Sequence, residues 1–173
     1  DGKSWDLVVD QVCYDYETAK NACEIFKNKT QSYIFTSTVS VYESGANILE
    51  SDFDPKAYTF DQEVKMQDSY AEAKRQAEVA FTNLADFKTA FVRFPIVIGK
   101  DDYTKRFEFH TKALENQTPI FVTNLEASMS FITSDFAAEV LYNLVKNFKP
   151  GPLNAASIDK LTIGDFLKNL EDL

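Results

Sequence analysis

The sequence predicts an α/β protein: a mostly parallel, doubly wound sheet followed by a small C-terminal lobe. Short apolar runs that read as buried strands alternate with segments of helical spacing. Those strands are nearly continuous in apolar residues, as when helices cover both faces of a sheet. After Gly99 the strands shorten and the loops become more polar, which marks the smaller lobe. Two intertwined parts follow, residues 1–100 and 101–173.

Trp5 to Asp10 reads as the first strand, and Tyr16 to Lys29 as a helix with Ala19, Ala22, Cys23 and Phe26 on one face. Ser32 to Thr36 is the second strand. From Glu43 to Met66 no period is sustained, and the segment reads as a loop crossing the carboxyl edge of the sheet; loops of that length are usually functional or disordered. Asp68 or Ser69 caps a helix carrying Tyr70, Ala73, Lys74, Ala77, Val79 and Phe81. Thr89 to Phe94 is the third strand. Beyond it come a helix near residues 103–114, short strands at Pro119–Val122 and Met129–Ile132, and a helix Ala137–Lys146 capped by Asp135. Leu153 to Ala156 forms a last strand or edge, and Thr162 caps a final helix.

A chain of 173 residues, 45% hydrophobic, can bury one substantial core without staples. Its 27 acidic against 18 basic residues give a net charge of −9, which repels a nucleic-acid backbone or an anionic membrane. Cys13 and Cys23 form neither a redox pair nor a metal-ligand cluster and read as free thiols in a reducing compartment. Asn28-Lys-Thr30 and Asn116-Gln-Thr118 fit the glycosylation pattern, but nothing else suggests secretion. With neither a readable membrane span nor a signal peptide, the reading is cytoplasmic. His110 is the only histidine and Asp101-Asp102 has no partner, so no metal site is expected.

Tyr70 and Lys74 are four apart on the predicted helix and so share a face. A neighbouring cation favours phenolate, which makes Tyr70 a candidate general acid and base; the same pair is also common on surface helices. The pair lies between a strand ending Phe35-Thr-Ser-Thr38 and one ending Arg93-Phe-Pro95. This order resembles the extended branch of the short-chain dehydrogenase/reductase family, which includes NAD-dependent nucleotide-sugar epimerases and dehydratases.

The resemblance implies a Rossmann-like fold that uses NAD or NADP. It makes Tyr70, Lys74 and Thr38 catalytic, with Thr38 holding the substrate oxygen and Lys74 also binding the nicotinamide ribose. Pro95, Ile96 and Val97 resemble the loop beside the nicotinamide. Asp10 and Gln11, at the end of the first strand, are placed beside the cofactor, although Asp10 could equally cap the following turn. Ser37, Ser40, Arg106 and Asn124 are the substrate-pocket candidates. Glu43 stands where the family usually has glycine, and Thr38 could instead cap local backbone groups.

The glycine-rich cofactor fingerprint is not found, because the five glycines are isolated. The expectation is therefore a C-terminal part of a longer protein, lacking the first strands of the sheet and binding cofactor weakly or not at all by itself. Its first strand would present an apolar edge to a preceding segment or to a second copy. The function implied is an NAD(P)-dependent oxidoreductase, or a nucleotide-sugar epimerase or dehydratase, acting at a secondary alcohol or ketone. The alternatives are a non-catalytic nucleotide-sensing or scaffold protein, and an accessory piece that complements another chain.

Overall fold

The structure, a computed structural model, describes residues 2–100, 102–157 and 161–172. Asp101 of the expected Asp101-Asp102 turn lies outside the described residues. The elements follow in the order β1 (Val8–Asp10), α1 (Tyr16–Phe26), β2 (Ser32–Thr38), α2 (Tyr70–Leu84), β3 (Lys88–Phe94), β4 (Ile96–Ile98), α3 (Arg106–Glu115), β5 (Ser128–Met129), β6 (Phe131–Thr133), α4 (Ser134–Lys146), β7 (Gly151–Asn154), β8 (Leu161–Thr162) and α5 (Ile163–Glu171). They divide into two units, Asp1–Phe94 with Glu139–Ala155, and Pro95–Ala138 with Ala156–Leu173. The first unit takes back a segment that a cut at residue 100 assigns to the C-terminal lobe.

In the first unit β1, β2, β3 and β7 form a parallel sheet in that order. Parallel neighbours require crossovers, and α1 and α2 supply two of them. Asp15 and Thr18 close a capping box at the start of α1, while Ser69 caps α2 by accepting from the Glu72 amide. Ala19, Ala22 and Cys23 of α1 pack with Ala77, Ala80 and Phe81 of α2 against Tyr33, Phe35, Phe87 and Phe91. The small side chains admit close approach, and the rings fill the space; Tyr33 stacks on Phe87 at 5.0 Å. Burying each large side chain contributes about 1.5–3 kcal/mol.

β7 begins at Gly151, two residues before the expected Leu153, so the Pro150-Gly-Pro152 run opens the strand instead of interrupting the chain before it. Pro152 is accommodated because β7 lies at a sheet edge, paired only with β3 among the described strands. The loop after β2 holds a 3-10 turn, Glu50–Asp52, and a small cluster of Val41, Tyr42 and Phe53.

The second unit holds a parallel pair, β4 with β6, and an antiparallel pair, β5 with β8. The single strand expected over Met129–Ile132 is two strands with different partners. Pro119–Val122 forms no strand, whereas Ile96 and Val97, expected in a loop, lie in β4. α4 starts at Ser134, with Thr133 Oγ1 accepting from the Phe136 amide at 3.2 Å, so Thr133 and not Asp135 caps it. Thr162 caps α5 with Asp165 in a capping box. Gly99 is required by proximity: a Cβ there would sit 2.1 Å from Ser134 Oγ.

Candidate active site

The turn after β1, the end of β2 and one face of α2 build the site in the first unit. Tyr70 opens α2 and is 41% exposed. Lys74, one turn later on the same face, is only 1% exposed. Its ammonium donates to the Cys13 carbonyl at 2.7 Å and the Thr36 carbonyl at 2.8 Å. The rings of Tyr14 and Phe35 lie 4.7 and 4.6 Å from Nζ, so aromatic faces complete its surroundings. Burial lowers the Lys74 pKa to about 8, partly offset by Cys13, Asp10 and Glu78. The ammonium therefore remains the main form at neutral pH, with a proton held more weakly than on an ordinary lysine.

Thr38 ends β2 and is almost buried. Its Oγ1 accepts from the Ser40 amide at 3.2 Å and donates to Ser40 Oγ at 3.2 Å. The hydroxyl thus caps the 3-10 turn Val39–Val41, the local role that the sequence also permits. Ser40 itself is exposed.

Ser37 points the other way. It is 3% exposed and donates to Glu78 Oε1 at 2.6 Å, so its hydroxyl faces the interior and the substrate-contact expectation is corrected. Asp10 Oδ1 accepts from the Val12 and Cys13 amides at 2.9 and 3.0 Å, and Oδ2 accepts from the Tyr33 hydroxyl at 2.5 Å. Of the two roles left open for Asp10, this geometry takes the turn cap, and the turn presents the Cys13 carbonyl to Lys74. Gln11 is exposed on the same turn.

The remaining candidates lie in the second unit. Pro95 is buried, and Ile96 and Val97 are half-buried in β4. Arg106, the first residue of α3, lines a cavity of about 790 Å³ whose walls include Phe107, His110, Phe131 and Phe166. His110 packs edge-on against Phe109 and Phe166. Asn124 instead caps a turn, its Oδ1 accepting from the Glu126 amide at 3.0 Å.

Sequence reasoning missed the groups that hold this arrangement. Glu78 and Arg93 form a fully buried ion pair at 2.6 Å. Arg93 was signalled by being the one charge within the apolar run Ala90–Phe94 of β3, because a buried charge requires a partner. Gln76, also buried, accepts from the Val64 amide and donates to the Gln62 carbonyl, tying the long loop to α2. Cys13 acts through its carbonyl, for which a sequence carries no signal.

No curated protein matches the sequence. Three solved structures show the same fold. A UDP-glucuronic acid 4-epimerase of Bacillus cereus superimposes with a TM-score of 0.75 at 16% identity, over 98% of this chain and 60% of that one. A UDP-N-acetylglucosamine 4-epimerase from Methanobrevibacter ruminantium gives 0.69 at 17% identity, over 98% and 61%. WbmG of Bordetella bronchiseptica, in complex with NAD and UDP, gives 0.68 at 16% identity, over 96% and 55%. The chain thus spans about three-fifths of the length of these proteins. The sequence pattern of one family matches residues 10–156, and by that match the chain belongs to the NAD-dependent epimerase/dehydratase family.

Proposed function

We propose that the full-length protein is an NAD(P)-dependent oxidoreductase of the epimerase or dehydratase type, acting at a secondary alcohol or ketone. The observation that carries this reading is the exposed residue Tyr70 one helical turn before a buried ammonium, beside a strand that ends in Thr38. Tyr70 takes the proton of the substrate hydroxyl, or returns it to a carbonyl. The Lys74 charge favours the phenolate during that exchange. Thr38, by turning its hydroxyl from Ser40 to the substrate, holds the reacting oxygen.

Two of the three donors of the Lys74 ammonium are engaged by carbonyls, and the third reaches a ribose hydroxyl once the Tyr14 ring that covers Nζ moves aside. NAD(P), when bound, supplies the hydride acceptor. A sugar nucleotide is the substrate class we favour, since the superimposable enzymes named above include two UDP-sugar epimerases. The non-catalytic reading draws on one observation, that the Thr38 hydroxyl is engaged by its own turn.

The test uses the full-length protein with NAD or NADP and a panel of UDP-glucose, UDP-galactose, UDP-N-acetylglucosamine and UDP-glucuronic acid. Replacing Tyr70 with Phe removes the transferable proton while retaining the ring, so turnover falls roughly 10²–10⁴-fold and cofactor binding persists. Cofactor binding without turnover of secondary alcohols, ketones or any panel member favours the sensing role. Near wild-type turnover by Tyr70→Phe refutes the acid–base assignment.

A further inference from the structure

The most elaborate polar construction in the first unit lies beneath the candidate active site. The Glu78 and Arg93 side chains are both wholly buried. Glu78 Oε1 accepts from Ser37 Oγ at 2.6 Å and from Arg93 Nε at 3.0 Å, and its Oε2 accepts from Arg93 Nη2 at 2.6 Å. The other guanidinium donors leave the sheet. Nη1 donates to the Tyr42 hydroxyl at 2.7 Å and the Glu50 carbonyl at 3.0 Å, and Nη2 to the Phe53 carbonyl at 3.2 Å. Tyr42 in turn donates to Asn154 Oδ1 at 2.5 Å. The rings of Tyr42 and Phe53 lie 4.9 and 5.2 Å from the guanidinium carbon.

The ion pair therefore gathers three pieces of chain that bear on the reaction. Glu78 is one turn past Lys74 and two past Tyr70 on α2. Ser37 is the residue before Thr38 at the end of β2. Tyr42, Glu50 and Phe53 belong to the segment that leads from Thr38 to Tyr70 and follows no regular period. Its carbonyls at 50 and 53 are held by Arg93, not by a strand partner. Arginine suits this task because its planar fork satisfies a carboxylate bidentately while other donors point elsewhere.

We propose that the Glu78–Arg93 pair is a positioning device for the chemistry of Tyr70, Lys74 and Thr38, linked through Ser37 to the strand and through Tyr42 to the long loop. It rests on the acid–base reading above. The two links act on different quantities. The Ser37 link fixes the backbone that carries Thr38 against α2, and so governs the chemical step. The Tyr42 link fixes the loop wall, and so governs substrate binding.

In the full-length protein, with the most active UDP-sugar of the panel, Ser37→Ala should lower kcat by roughly 10–100-fold with KM changed less than about threefold. Ser37→Thr, which restores the hydroxyl, should recover most of that loss. Tyr42→Phe should raise KM by about tenfold and leave kcat within about threefold. Both variants retain the ion pair, and thermal melts establish that they are folded. Values of kcat and KM within about twofold of wild type for both variants would overturn the proposal. So would a Ser37→Thr enzyme as slow as Ser37→Ala, because packing and not the hydroxyl would then be responsible.

A second readout needs no turnover. Asp10 and Glu78 are the carboxylates whose charge supports that of Lys74, while the Cys13 thiol, pushed up to about 12, and the Tyr14 phenol, whose ring lies over Nζ, are the other titratable groups beside it. Glu78→Gln should therefore move the Lys74 titration, followed by carbon NMR of the lysine side chain, below its midpoint of about 8. Arg93 is kept in place for this reading, since its unpaired cation lowers the midpoint in the same direction, whereas removing both buried charges together would cancel at Lys74. If none of the UDP-sugars turns over, this titration decides, and an unmoved midpoint sinks the proposal. Failure of the acid–base reading is separately visible, since it appears as full turnover by Tyr70→Phe while the Ser37 and Tyr42 effects remain measurable.

Discussion

Replacing Lys74 with Met should change how the stability of the chain responds to alkali. Burial brings the Lys74 pKa from 10.5 to about 8, whereas an unfolded lysine keeps its proton to about 10.4. Between those values the unfolded chain binds more protons than the native one, so stability rises with pH. This contribution is complete above the unfolded value and is lost as pH falls through about 8. Its full size is on the order of 3 kcal/mol, and about 2 kcal/mol of it is reached by about pH 9.5.

The buried thiols act in the opposite direction. Burial pushes Cys13 up to about 12 and Cys23 up to about 11, so both favour the unfolded state as its thiols ionise. They are present in both proteins, and the difference between wild type and variant isolates Lys74 to first order. Near neutral pH the substitution relieves a desolvated charge but leaves the Cys13 and Thr36 carbonyls without their donor, at about 1–3 kcal/mol each. The net change there should be small. Urea unfolding of both proteins from about pH 7 to 9.5 tests the argument: wild type should gain about 2 kcal/mol relative to Lys74→Met. Parallel profiles would show that Lys74 is not held as a depressed ammonium.

Gly99→Ala should destabilise the fold by about 1–3 kcal/mol, because its new Cβ meets Ser134; combining it with Ser134→Gly should restore most of the loss in the same melts. Asp15→Ala removes the α1 cap and should cost about 1 kcal/mol by urea unfolding, with an unchanged m-value; a loss below about 0.3 kcal/mol would deny the cap its role. β1 pairs only with β2 among the described strands, so the isolated chain should self-associate at micromolar concentration, and Val9→Lys should weaken that association. A compact monomer by sedimentation would count against it.

The parts of the site that were legible are those fixed by short-range geometry. A four-residue spacing places Tyr70 and Lys74 on one helical face, and Ser69 before them marks the start of α2. That spacing cannot reveal that one side chain is wet and the other dry, because the partners of Lys74 are carbonyls brought together from two strand ends. The long loop was unreadable for a related reason. Its backbone is held by Gln76 and Arg93 from elsewhere in the chain, so its own residues need no period. β4, β5 and β8 are only two or three residues long, too short to show the alternation by which a strand is recognised. Arg93 was readable as a charge in need of a partner, and Glu78 follows Lys74 by a further four residues. What sequence could not supply was the pairing itself, which depends on β3 lying under α2.

Tyr70, Lys74 and Glu78 form one stripe along α2, about 12 Å from end to end, and exposure falls along it from 41% through 1% to zero. That gradient sorts three polar residues into three tasks. At the exposed end a phenol can exchange a proton with a ligand at little desolvation cost. In the middle an ammonium is dry enough to lose much of its proton affinity, yet carbonyls and nearby anions keep it charged at neutral pH. At the buried end a carboxylate is stable only because Arg93 and Ser37 occupy its oxygens. Moving the acid or the lysine by one residue would turn it off this stripe. The Tyr-x-x-x-Lys-x-x-x-Glu spacing is therefore a requirement of the burial gradient, since each position must meet a different dielectric while sharing one helical face.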